Sequence, residues 1–130
     1  MLRLQIDRDV KKDLDELARP VAQRIAALLQ EIQGDPDACD TLLMHDFGRE
    51  CDQRFHVSRW QEQWRQGLNL WRLKDWDLQE RGLQYRIIYG YAQSQRCIFI
   101  LGVAHRRFNY DENHPLSRRV IRRYHELCVD

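Results

Sequence analysis

The second half of the chain sets cationic side chains at alternating positions on strand-like segments, a spacing suited to gripping an oxyanion. Arg72 and Lys74 stand two residues apart in Leu68-Asn-Leu-Trp-Arg-Leu-Lys74. On a strand both leave one face, while Trp71 and Leu73 leave the other. Arg86 alternates in the same way with Tyr85, Ile87 and Tyr89, and Arg106 and Arg107 close a third apolar segment. If these segments lie side by side in register, Arg72, Lys74, Arg86 and Arg106 converge on one concave polar surface. A guanidinium offers a planar fork of donors that matches a phosphate. His105 and His114, whose imidazoles titrate near neutral pH, follow close behind as candidate acids or bases.

The total charge hides this surplus. The chain carries a formal +1, yet residues 1–65 hold 10 basic and 13 acidic side chains and residues 66–130 hold 11 and 7. All but one of those 11 are arginine, so a local anion site is compatible with a near-neutral total. The plain alternative is a solvated basic face. With 130 residues, 43% hydrophobic and 32% charged, the composition predicts one folded domain rather than a disordered chain. The longest apolar run, Ile98 to Ala104, falls far short of the roughly 20 residues a bilayer needs. The start, Met1-Leu-Arg-Leu-Gln-Ile-Asp7, has no apolar leader, so the expected location is the cytoplasm. Cys39, Cys51, Cys97 and Cys128 form no C-x-x-C pair and are expected as reduced thiols. His45, Cys51 and His56 have metal-ligand types but fit no common zinc spacing. Asp46-Phe47-Gly48 matches a kinase triplet without any other kinase feature.

The elements that must position these groups can be read in part. Leu2, Leu4 and Ile6 alternate with polar residues and predict a short first strand. Asp7 or Asp9 is a candidate cap for the helical stripe Val10, Leu14, Leu17, Val21, Ile25, Leu28 and Ile32. Pro20 inside that stripe predicts a second helix beginning there, giving a hairpin or kinked helix that ends near Gln33-Gly-Asp-Pro36. Residues 37–66 give little periodicity, although Trp60 and Trp64 suggest one helical turn against the core. Three strands follow, at 68–74, 83–92 and 97–105, joined by short polar turns as an antiparallel meander that the first strand can join at its edge. Pro115 opens a final helix with Leu116, Val120, Tyr124 and Leu127 on one face and Arg118, Arg119, Arg122 and Arg123 on another. The expected fold is α+β, with helices segregated against one antiparallel sheet.

That order, and the blocks Leu70-Trp-Arg-Leu-Lys74, Gln84-Tyr-Arg-Ile-Ile-Tyr89, Gly102-Val-Ala-His-Arg-Arg107 and Tyr110-Asp-Glu-Asn-His-Pro-Leu-Ser-Arg-Arg119, resemble the RelE/ParE toxins of type II toxin-antitoxin systems. The readable motifs cover residues 68–124. Residues 37–67 form an insertion relative to the smallest members, and Asp75 to Leu83 lengthens a turn. The resemblance implies a metal-independent and cofactor-free endoribonuclease that cuts messenger RNA at the ribosome and is neutralised by a cognate antitoxin. It implies Arg86 and Arg106 as catalytic arginines, with Arg72, Lys74 and Arg107 binding RNA phosphate. It leaves the acid and base among His105, Tyr110 and His114. A ParE-like inhibitor of DNA gyrase and an inactive interaction module of the same fold are the alternatives.

Overall fold

A computed structural model describes residues 2–108 and 110–128. The element order is β1 (Arg3–Ile6), α1 (Arg8–Asp15), α2 (Arg19–Gln33), α3 (Pro36–Thr41), β2 (Phe55–Arg59), α4 (Gln61–Arg65), β3 (Leu70–Asp75), α5 (Trp76–Glu80), β4 (Tyr85–Ala92), β5 (Cys97–His105) and α6 (Pro115–Cys128). The strands form one five-stranded sheet in the order β1-β5-β4-β3-β2. The meander is β3, β4 and β5, antiparallel throughout, with Arg72 opposite Ile88 and Arg86 opposite Ala104. The first strand joins it through β5, but in parallel, so the sheet is mixed rather than purely antiparallel.

Two further differences from the sequence reading matter. The segment at 37–67 contributes a fifth strand: β2 pairs antiparallel with β3, setting His56 opposite Lys74 and Ser58 opposite Arg72. The outer edge of β2 is closed by the preceding loop, where the Asp46 amide donates to Val57 O at 2.8 Å and the Val57 amide to Phe47 O at 2.9 Å. This pairing satisfies an edge that would otherwise expose free backbone groups. The lengthened turn after β3 is the helix α5, capped by Asp75, whose carboxylate accepts from the Asp77 amide at 2.8 Å. That cap ends β3 at Asp75, the residue after Lys74.

The helices lie on both faces of the sheet, not on one. Val10, Val21, Ile25, Leu28 and Ile32 of α1 and α2 pack with Trp71, Leu73, Ile87, Tyr89 and Ile100. On the other face Val120, Tyr124 and Cys128 of α6 pack with Leu70, Ile88, Phe99 and Leu101. Alternation along the strands produces the two cores, with a register shift at Ile88/Tyr89 where β4 meets β5. Glycine allows α6 its close approach: a Cβ on Gly90 would stand 2.8 Å from Tyr124 Cδ1. Pro20 sits in the first turn of α2, as expected from its missing donor. Asp7 occupies the N-cap position of α1 but makes no side-chain cap. Its carboxylate binds Arg123 of α6 instead, at 2.7 and 2.9 Å. No helix among the described residues is long and apolar enough to cross a membrane.

Candidate functional site

Because α6 covers only part of its face, the sheet beyond it carries polar side chains from neighbouring strands. Arg72, which shares a strand face with Leu70, and Arg86, which shares one with Ile88, emerge where that core stops. With Lys74, Arg106, His56, Ser58 and Tyr110 they line a depression of about 200 Å³. Four cations drawn from β3, β4 and the segment after β5 thus surround one hollow. None of the four is ion-paired with a carboxylate among the described residues.

The cations are held by neutral contacts. Arg72 donates from Nε to Ser58 Oγ at 2.9 Å, and its guanidinium lies 4.9 Å from the centre of the Tyr110 ring. Lys74 Nζ stands 4.3 Å from the Trp76 ring centre, a cation–π contact that holds the ammonium without cancelling its charge. Arg86 donates from Nη1 to its neighbour's carbonyl, Tyr85 O, at 3.2 Å. Burial, then the charges of Arg72 and Arg106, push the Arg86 pKa below the ordinary arginine value, with Tyr110 opposing. Lys74 is lowered in the same direction by burial and by Arg86 and Arg72. Both downward shifts say that the hollow disfavours its own positive charges, a cost that a bound anion relieves.

Tyr110 closes one side. Its ring packs against Trp60 and Phe108, with centroids 5.3 and 4.9 Å away, and its backbone adopts φ 61°. A left-handed tyrosine is uncommon and here turns the chain so that the ring covers the cations. The phenolic oxygen is buried and makes no hydrogen bond of good geometry. Burial raises its pKa, while the Arg72 and Arg86 charges pull the other way.

The chain matches no protein-family model and no curated protein. The site's geometry brings together five of the residues singled out in sequence, Arg72, Lys74, Arg86, Arg106 and Tyr110, and leaves out three. His105 pairs with Tyr85 across the ladder and packs edge-on to its ring at 5.2 Å, on the opposite face from Arg86. With Arg107 and His114 it borders a separate groove beside α1 and the start of α6. The reason is strand parity: Ala104 and Arg106 share Arg86's side of the sheet, and His105 between them cannot.

Two lining residues, His56 and Ser58, have no counterpart among those candidates. Their signal was the alternation in Phe55-His-Val-Ser-Arg59, in which Phe55 and Val57 are buried and His56 and Ser58 between and after them leave the other face. Five residues flanked by irregular chain are a weak period-two pattern. His56 Nε2 lies 3.3 Å from Asp46 Oδ1, and its ring stacks on Trp76 at 5.9 Å with an interplanar angle of 6°.

Proposed function

We propose that the protein is a toxin of the RelE/ParE kind, a metal-independent endoribonuclease that cuts messenger RNA at the ribosome, in the cytoplasm, and is neutralised by a cognate antitoxin protein. One observation carries this reading: Arg72, Lys74, Arg86 and Arg106 line a phosphate-sized hollow without a carboxylate partner among the described residues. Attack by a ribose 2′-hydroxyl on the adjacent phosphate places additional negative charge on the non-bridging oxygens. Fixed cations aimed at that charge stabilise it more than they stabilise the ground state. Arg86, from the middle strand of the meander, stands against the phosphate, with Arg72, Lys74 and Arg106 around it. Tyr110, kept as a phenol by burial, supplies a proton where one is needed. Among the described residues the lining holds no carboxylate, so its donor set suits an anion and not a divalent cation. The α+β order of strand, helices, meander and closing helix supports the same reading.

A second reading draws on the formal net charge of +1. A protein that docks on ribosomal RNA gains affinity from a broad positive surface. A ParE-like inhibitor of DNA gyrase has less need of one.

Controlled expression with mapping of transcript ends separates these outcomes. Expression of the protein is expected to stop growth and to produce cuts within translated messages. Arg86→Ala is expected to relieve the arrest and leave transcripts whole, with an unchanged far-ultraviolet circular dichroism spectrum. Broken DNA beside intact transcripts would give the gyrase reading its support and remove the nuclease. No effect on growth would leave an inactive interaction module.

A further inference from the structure

A histidine from the edge strand β2 shares the hollow with the cations. His56 is the one imidazole lining the hollow, opposite Lys74 on the neighbouring strand. It is held on two sides: by Asp46 at 3.3 Å and by the Trp76 ring stacked beneath it. Asp46 is itself fixed. Its amide donates to Val57 O, next in the chain to His56, and its backbone takes φ 65°, a left-handed conformation that aspartate tolerates better than most residues. Gly48 follows at φ 76°, where an added Cβ would stand 1.9 Å from Phe55 O. The loop thus closes the sheet edge and delivers a carboxylate to the imidazole in one turn. An Asp46 that accepts from Nε2–H selects the neutral tautomer whose Nδ1 carries a lone pair.

We infer that His56, positioned by Asp46, is the base that takes the 2′-hydroxyl proton in this hollow, an inference that rests on the nuclease reading above. The step balances within the site. The O2′–H bond breaks, and its proton goes to Nδ1 of His56. The oxygen lone pair forms the O2′–P bond, and the P–O5′ bond breaks. The leaving O5′ takes the Tyr110 phenolic proton, giving a 2′,3′-cyclic phosphate and a free 5′-hydroxyl. His56 then returns its proton and Tyr110 regains one, both through water.

The charged groups facing His56 are Asp46 and Arg49 from the covering loop and Lys74 from β3, with the Trp76 ring of α5 beneath. Burial lowers the His56 pKa below the ordinary 6.5; Asp46 opposes that shift, and Lys74 and Arg49 add to it. The base is therefore unprotonated at neutral pH, and the acidic limb of the rate profile falls below 6.5. Removing the aspartate charge moves that limb lower still.

The test is single-turnover cleavage of a short messenger RNA, on purified ribosomes and free in solution. The same RNA is also made with sulfur replacing the bridging 5′ oxygen, so that the leaving group needs no acid. His56→Gln is expected to cut about 10²–10⁴-fold more slowly, equally on both RNAs, with affinity for the uncleaved RNA unchanged. That retained affinity shows that the variant is folded. Asp46→Asn is expected to slow cleavage less and to shift the acidic limb downward, which a merely structural aspartate would not do. Arg86→Ala loses both rate and affinity. An active protein whose His56→Gln variant cuts at the normal rate overturns the assignment of His56 and leaves the nuclease standing. Restoration of His56→Gln by the sulfur substitution makes the histidine the acid, which also overturns it. A protein that cuts RNA under neither condition removes the nuclease and His56's role together.

Discussion

Replacing Arg123 by Ala removes one arm of the link between the last helix and the first, and the expected cost follows from what it leaves behind. The Asp7 side chain is 5% exposed and that of Arg123 12%. The guanidinium spans both Asp7 oxygens at 2.7 and 2.9 Å and also reaches Glu126 at 2.6 Å. Losing one member of a buried pair strands the other, which typically costs about 3–5 kcal/mol. Asp7 keeps the Arg119 charge in its surroundings, so the lower end applies, about 3 kcal/mol. With a urea dependence of about 1.5–2 kcal/mol per molar, the midpoint should fall by about 1.5–2 M. Tryptophan fluorescence during urea unfolding reads this directly. Arg122→Ala is the control: Arg122 is 68% exposed and lies 3.9 Å from Glu126, so its loss should cost at most about 0.5 kcal/mol.

The effect has a pH signature whose sign is fixed. Burial pushes the Asp7 pKa up, but the Arg123 hydrogen bond and charge prevail and hold it below the ordinary 3.8. A carboxyl lowered in the folded state stabilises above its unfolded pKa, and that stabilisation is lost as pH falls through the folded value. In Arg123→Ala burial acts unopposed by that partner, so Asp7 takes up its proton at higher pH in the folded state. The gap between the two proteins should therefore be full at pH 7 and narrow as pH falls through the acid range. A gap under about 1 kcal/mol at pH 7, or one as small as that for Arg122→Ala, would refute the reasoning that these arginines are structural.

Two further substitutions test the packing around the site. Gly90→Ala brings a Cβ to 2.8 Å from Tyr124 Cδ1, so α6 must lift from the sheet; overpacking of this kind costs about 1–3 kcal/mol, read as a lowered urea midpoint. Gly48→Ala places a methyl group against Phe55 O at φ 76°, so the loop should detach from β2 and amide exchange at Val57 should accelerate while that at Ile88 stays slow.

What could be read in sequence was whatever repeats with a period. The α2 stripe, the β3 to β5 meander and the amphipathic α6 each run long enough for alternation or helical spacing to stand out; strand parity puts Arg72 and Lys74 on one face, and in-register pairing is what adds Arg86. The five residues of β2 and the five each of α4 and α5 are too short for that. Their places are set by contacts distant in sequence, such as Trp76 Nε1 of α5 donating to Gly48 O at 2.8 Å. Asp7 misled for a related reason. In sequence it is a helix cap, but a partner 116 positions later claims its carboxylate. His105 is attractive by chemistry, but parity decides against it, since it stands, between Ala104 and Arg106, on the other side of the sheet.

The cationic surplus of the second half resolves into two populations once pairing is counted. Arg119 takes Asp13 at 2.6 Å and Arg123 takes Asp7, so basic groups of α6 answer acidic groups of α1. Arg81 and Arg122 meet Asp77 and Glu126 on their own helices at 3.5 and 3.9 Å. These pairs neutralise basic groups locally, whereas the near-neutral total follows from 21 basic and 20 acidic side chains. The strands contribute differently. On β3 and β4 the groups nearest Arg72, Lys74 and Arg86 are a serine hydroxyl, an indole ring and a backbone carbonyl, which orient a cation without discharging it. A local potential depends on where neutralisation fails, not on the sum over the chain. The four cations around the hollow are thus consistent with a formal charge of +1, and they concentrate positive potential on a part of the sheet beyond the α6 core.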